Sequence, residues 1–204
     1  MTRYRVFPGG ASPLAFLSGA ALLILATDRL AHAVIAAGAL VWVYCLSSLA
    51  VYAGARILPR RNVSFLITFL CSFMAGAYLL LLWLLSPLCA LETFFVVALT
   101  PIFCPETRIF RRLKTTGLGD TVLNALCEAL FPSALIIIFA VIREPLGCLS
   151  LSLPGGAQGI ILLFSFETES VFPMRIIASS SGALLLLGYS LALYRYFRRE
   201  KYGR

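Results

Sequence analysis

Cys104, Glu128, Arg143 and Glu144 stand at or inside apolar runs, where an apolar residue would be the simpler choice. Cys104 closes the run Leu99-Thr100-Pro101-Ile102-Phe103-Cys104-Pro105, between two prolines that interrupt regular helix hydrogen bonding. A thiol at such a broken helix end is either a metal or cluster ligand or a small structural residue. Glu128 sits within another apolar run, one helical turn after Asn124. A carboxylate at that depth either lines an ion path or reaches back towards Lys114 and water. Arg143-Glu144-Pro145-Leu146-Gly147 ends the same run. The adjacent Arg and Glu are an interfacial anchor before a helix stop, or a partly buried pair holding the connector against a neighbour. Asp28 and His32, one turn apart, read as a solvated connector rather than a metal site.

The remaining chemistry is sparse. The six cysteines show no CxxC pair and no ligand-type spacing, and most lie in apolar segments as small hydrophobes. A disulfide framework is not expected. There is no phosphate-binding glycine loop, no pair of carboxylates in a polar domain and no nucleophile beside a base. Gly155 and Gly156 after Pro154 read as a turn.

The elements that must carry these residues are membrane helices. Sixty per cent of the 204 residues are hydrophobic, 13% are charged, and the mean hydropathy is +0.93. Soluble domains carry roughly 25% charged residues, so this surface is built for lipid. A span takes about 20 apolar residues. Six stretches can be read, at residues 12–27, 31–55, 63–85, 90–104, 121–142 and 176–196. The first and fourth are short. Residues 159–166 form a smaller apolar piece, read as re-entrant or interfacial. Backbone groups in lipid must pair within their own segment, so the predicted class is all-α. Arg3 and Arg5 before residues 14–26, with Ala31-His32-Ala33 beyond, resemble a signal peptide and its cleavage site, but Asp28 and Arg29 in between weaken that reading.

Charge sets the orientation. With six spans, one side collects Arg3, Arg5, Arg56, Arg60, Arg61, Arg108, Arg111, Arg112, Lys114, Arg195, Arg198, Arg199, Lys201 and Arg204, and the other only Arg29, Arg143 and Arg175. That asymmetry predicts both termini in the cytoplasm. It also explains the net charge of +8 without nucleic acid, because the basic residues sit in short clusters between spans. The spans run short-long-long twice. Three spans per copy is odd, so the second copy enters from the opposite face. The expectation is a single membrane domain of two inverted repeats, 12–85 and 90–197, with a basic tail at 198–204. Six helices in a chance order of lengths is the plainer alternative.

Several segments resemble a known family. Residues 121–150, ending Phe139-Ala140-Val141-Ile142-Arg143-Glu144-Pro145-Leu146-Gly147-Cys148-Leu149-Ser150, resemble the R-E-x-x-G-x-G-T-L signature of the Rnf/Nqr membrane subunits. Ser181-Gly182-Ala183-Leu184-Leu185-Leu186-Leu187-Gly188 is similar to the P-G-A-F-x-x-x-G stretch opening the last helix of the RnfE/NqrD branch, and the basic tail suits that branch. Phe103-Cys104 falls where the family has Asn-Cys, and Gly19, Thr27 and Ala33 fit its first connector, L-G-x-C-P-x-L-A-V-T. The resemblance covers nearly the whole chain as scattered motifs, with Arg143-Glu144 the most specific.

The resemblance implies a six-helix inverted-repeat subunit of the bacterial inner (cytoplasmic) membrane, paired with a homologous subunit of opposite orientation. The pair would belong to an ion-translocating electron-transport complex with flavin and iron–sulfur subunits. One cysteine from each short helix of each partner would hold an intramembrane 2Fe-2S cluster, with Cys104 as the ligand here. Arg143 and Glu144 read as structural supports of the half-helix region, and, if ions pass near this subunit, Glu128 is the ion-path candidate. The chain departs from the pattern at Ala21, where the family's first cysteine falls, at Leu22 in place of the next proline, at Phe103 and at Asn124. A cluster needing four thiolates loses one with Ala21. A cluster-less scaffold subunit and a small inverted-repeat secondary transporter therefore stand beside the redox subunit as readings. No catalysis is expected of the chain alone.

Overall fold

The computed structural model describes residues 28–54, 63–103, 118–155, 159–165 and 175–202. The first apolar run, Ala21, Cys104, Lys114 and most of the basic clusters lie outside them. The described chain is mostly helical. It comprises α1 (Leu30–Gly54), α2 (Val63–Leu85), α3 (Pro87–Phe103), α4 (Leu118–Cys148), the short α5 (Arg175–Ala178) and α6 (Ser180–Tyr202), with strands β1 (Ser150–Pro154) and β2 (Ile160–Ser165) between α4 and α5.

Three of these helices, α1, α2 and α4, are long and apolar enough to cross a bilayer, and shorter apolar helices occupy Pro87–Pro101 and Ser181–Ser190. These features fit a membrane protein. The long apolar runs set the helix bounds closely, because lipid tolerates no unpaired backbone and the apolar stretch and the hydrogen-bonded stretch must coincide. The bounds shift where capping decides them. α3 begins at Pro87, not at residue 90, since proline fits a first helical position where no N–H partner is needed. The chain bends there around the buried Ser86, whose N–H still reaches Leu82 O at 2.7 Å.

α1 is the central element. It is apolar all round and packs against α2, α3, α4 and β1, most extensively against α4. The α1 and α4 sides of the core combine small side chains, Ala33 on α1 and Ala125, Ala129, Ser133 and Ala140 on α4, with the larger Leu40, Val43, Tyr44 and Ile136. Small residues let the two backbones approach closely, which is how helices associate where lipid removes the hydrophobic drive. Ser133 Oγ donates to Ala129 O at 2.7 Å and also lies 3.3 Å from Ala37 O, across the seam. On the other flank Tyr78 Oη of α2 donates to Ile35 O at 3.2 Å. Gly38 gives it room, since a Cβ there would lie 2.8 Å from that hydroxyl. Buried threonine hydroxyls turn back on their own helix: Thr93 to Cys89 O and Thr100 to Val97 O, both at 2.7 Å.

Two expectations are corrected. The class is not purely all-α, because Ile160–Ser165 is a strand paired antiparallel with Ser150–Pro154. Its five apolar residues are too few for a span, and Pro154-Gly155 turns the chain straight back. Gly155 N–H donates to Gly159 O at 2.7 Å, and Gly159 takes φ +81°, a conformation glycine adopts without strain. The second correction concerns α4, which runs through Arg143 and Glu144 to Cys148 instead of stopping at residue 142. It ends on Leu149, whose φ of 51° closes the last turn with Leu149 N–H on Pro145 O.

Candidate functional site

The polar residues of the described structure converge at one end of the α1–α4 pair. α1 opens there with a local defect. Its first residue is Leu30, and the position before it is Arg29, which offers no acceptor for the orphan N–H groups of the first turn. Asp28 could serve, but its carboxylate is engaged with His32, Oδ1 to Nδ1 at 2.6 Å. That bond is the main reason the Asp28 carboxyl sits below its usual range, against an opposing effect of burial.

The missing acceptors come from distant parts of the chain. Glu144 Oε2 accepts from Leu30 N–H at 2.7 Å, and Ser152 Oγ lies 3.5 Å from Ala31 N. Glu144 and Ser152 are both fully buried. The β1–β2 irregularity between Leu151 and Ser152 falls beside this contact. Glu144 Oε1 is buried and has no hydrogen-bond partner among the described residues. A carboxylate at a helix N-terminus also meets the favourable end of the helix dipole.

Arg143 does the complementary task on the opposite kind of helix end. Its guanidinium is 1% exposed, and it donates from Nε to Ile177 O and from Nη2 to Ser179 O, both at 3.3 Å. Ile177 lies within the short α5, whose last carbonyls no continuing helix satisfies, while Ser179 links α5 to α6 and its carbonyl also accepts from Ala183 N–H at 3.1 Å. Ser179 in turn caps α6: its Oγ accepts from Gly182 N–H at 3.4 Å. A Cβ on Gly182 would run into the backbone of Ile176 and Ile177, so only glycine lets α6 start this close to α5. One adjacent pair, donor and acceptor, thus fastens the start of α1 and the α5–α6 junction to the end of α4. Gly159 of the hairpin lies against Leu88, which brings α3 to the same end.

The other residues singled out by type are not gathered here. Glu128 lies ten residues into α4, about 15 Å along its axis, and is half-buried. α4 begins at Leu118, so Glu128 sits deeper in the helix than the run beginning at residue 121 implies. Asn124, one turn earlier, is exposed. Asp28 is half-exposed and His32 largely buried, with Nε2 lacking a partner among the described residues. None of the described cysteines is in a disulfide: Cys71 and Cys89 are buried, Cys45 is half-buried, and Cys127 and Cys148 are exposed. No group of three or more His, Cys, Asp or Glu side chains is placed to hold a metal among the described residues. The one ligand the family resemblance assigns, Cys104, lies outside them.

Ser152 carries no sequence signal, since a serine in an apolar hairpin looks like any other loop hydroxyl. The only available clue to the capping arrangement was negative, a long apolar helix starting after Asp-Arg with its acid a turn from a histidine. In comparisons with known proteins, no family model and no characterised protein matches this chain.

Proposed function

We propose that this chain is an RnfE/NqrD-like membrane subunit of an ion-translocating electron-transport complex. The observation that carries the reading is the burial of Arg143 and Glu144. These two residues are the most specific part of the family resemblance, and they are fully enclosed and hydrogen-bonded to three other segments. A surface anchor at a helix end would be replaceable; a buried donor–acceptor pair at a hub is costly to replace. The finer architecture belongs to the same proposal: six spans as two inverted three-helix repeats, both termini cytoplasmic, in the bacterial inner membrane. In support, the α1 start, the α2–α3 bend, the hairpin and the α5–α6 junction lie at one end, which is the grouping that six spans require.

In this reading Cys104 supplies one thiolate to a 2Fe-2S cluster shared with a homologous partner of opposite orientation, and electrons pass between flavin and iron–sulfur subunits on the two faces. Ala21 in place of the second thiolate favours, within the same complex, a scaffold subunit without a cluster. A small inverted-repeat transporter is the reading from a different class. If Glu128 lines the ion path, Glu128→Gln lowers ion pumping more than electron transfer; equal loss of both, or of neither, removes that role.

The deciding experiment is anaerobic affinity purification of the tagged chain from its native membranes, with iron and sulfide measured per complex. Co-purification of homologous membrane and flavin subunits supports the assignment. Two irons beyond those of the soluble clusters, lost in Cys104→Ala, make Cys104 a ligand, and their absence makes the chain a scaffold. A protein that comes out alone and metal-free sinks the redox reading and leaves the transporter.

A further inference from the structure

An open groove of about 680 Å³ runs along the α1–α4 seam, walled by Val34, Val41 and Cys45 on α1 and by Leu130, Ala134 and Ile137 on α4. Its volume is that of a ligand site, and its wall is almost wholly apolar; Trp42 also lines it, with a buried Nε1 that has no hydrogen-bond partner among the described residues. The one hydroxyl in the wall, Ser133 Oγ, is already committed to Ala129 O and Ala37 O. The half-buried Cys45 contributes only a thiol, a weak hydrogen-bonding group. The surface that an occupant would meet is nearly all hydrocarbon. The groove's length is set by the span from Val34 to Leu46 on α1, twelve residues or about 18 Å at 1.5 Å each. One leaflet of a hydrocarbon core roughly 30 Å thick is about 15 Å deep. The groove starts one turn inside the Leu30 end of α1, and with that end at the interface its mouth lies just below it. Arg29 and Asp28, exposed immediately before Leu30, offer opposite charges to a zwitterionic headgroup there.

From this match of chemistry, length and depth we infer that the groove holds one acyl chain of a phospholipid, drawn from the leaflet at the Leu30 end. Its shape explains why the site would bind rather than merely touch lipid. Large side chains on the outer face of α2, such as Phe65 and Phe73, leave a chain free to slide, whereas in the groove it is walled by α1 over about 18 Å and by α4, from Leu130 to Ile137, over about 10 Å. The inference is independent of any redox role.

The test is native mass spectrometry of the full-length chain purified in mild detergent from its own membranes. It is paired with photolabelling in vesicles containing a phosphatidylethanolamine that carries a diazirine near the end of one acyl chain. The wild type retains one phospholipid, and the label falls on the peptides around Val41–Leu46 and Leu130. Ala134→Phe, on an exposed position of the wall, fills the groove. It lowers retention about tenfold, the loss expected once roughly two methylenes no longer find a wall. Gly76→Phe adds the same ring on an open face of α2, where nothing stands within 4 Å, and retains the lipid as the wild type does. Three results overturn the inference: no retained lipid, equal retention in the two variants, or crosslinking of the groove residues to a polypeptide, whether another subunit or a second copy.

Discussion

α1 and α2 are both long apolar helices, yet they are made for different neighbours. Of the most hydrophobic window of α1, 56% is buried inside the fold; of that of α2, 17%. The difference lies in side-chain size. α4 turns mainly alanines and a serine inward, with Ile136, against α1, whose buried residues include several alanines beside Leu40, Val43 and Tyr44, while α2 turns Phe65, Phe69, Phe73 and Leu84 outward. Total hydrophobicity does not distinguish the two helices, because in lipid an apolar side chain is equally satisfied inside or outside. What separates them is whether the backbone must come close to another. The same contrast appears in the polar groups: α1 is fastened at its start by Glu144 and Ser152, and the buried Arg143 and Glu144 both stand on α4. Close packing and polar fastening occur together because a small-residue seam has little lateral grip of its own, and the end contacts fix its register.

The sharpest break in this comparison is Glu144→Ala. It removes the acceptor from Leu30 N–H in a place water does not reach, and hydrogen bonds to charged groups contribute about 1.5–3 kcal/mol. We expect a loss at the upper end of that range, read as the shift in unfolding midpoint in bicelles. Glu144→Gln keeps an oxygen for Leu30 and recovers more than half of it. If Ala and Gln variants lose stability equally, the bond to Leu30 is not what Glu144 provides.

A second pair of variants tests size directly. Ala129→Leu inserts three carbons into the seam at a residue with no exposed surface, and overpacking of that kind costs about 1–3 kcal/mol. Leu84→Ala removes as many carbons from a side chain that is 84% exposed on α2, and changes stability by less than about 0.5 kcal/mol. The reverse order would mean that α2, not α1, meets a protein neighbour. Ser133→Ala is milder: it leaves the seam closed and loses only the hydroxyl bonds, about 0.6 kcal/mol for an interhelical bond in a membrane protein.

Much of the framework was legible because lipid enforces a simple rule, continuous apolar residues with continuous hydrogen bonding. α1 and α2 start and end within a residue of their apolar runs for this reason. What decides the ends of helices was less legible. Nothing local marks Glu144 as the cap of Leu30, because the two are 114 residues apart. An Arg-Glu pair at the end of an apolar run looks the same whether it anchors in headgroups or folds inward. The hairpin was hidden for another reason: its apolar strand, Ile160–Ser165, is too short to show a period, and only Pro154-Gly155 hints at its turn. Cys104, on which the proposed redox reading depends, lies outside the described residues.

The smallest expected effect comes from Asp28, the acid that does not cap α1. Its carboxyl is held below the ordinary value of 3.8, chiefly by the hydrogen bond to His32. A group whose folded value is depressed binds its proton more readily in the unfolded chain, so it adds stability above the ordinary carboxylate range. That stability is lost as the pH falls through the lowered folded value. Asp28 is 53% exposed, so solvent screening holds the contribution to under about 1 kcal/mol. Comparing thermal midpoints at neutral pH and below pH 3 should show a slightly smaller acid-induced drop in Asp28→Asn than in the wild type, with His32→Gln behaving the same way. If instead Asp28→Asn is as damaging at neutral pH as Glu144→Ala, then Asp28 shares the capping of α1, and the start of the central helix is held locally as well as by the distant end of α4.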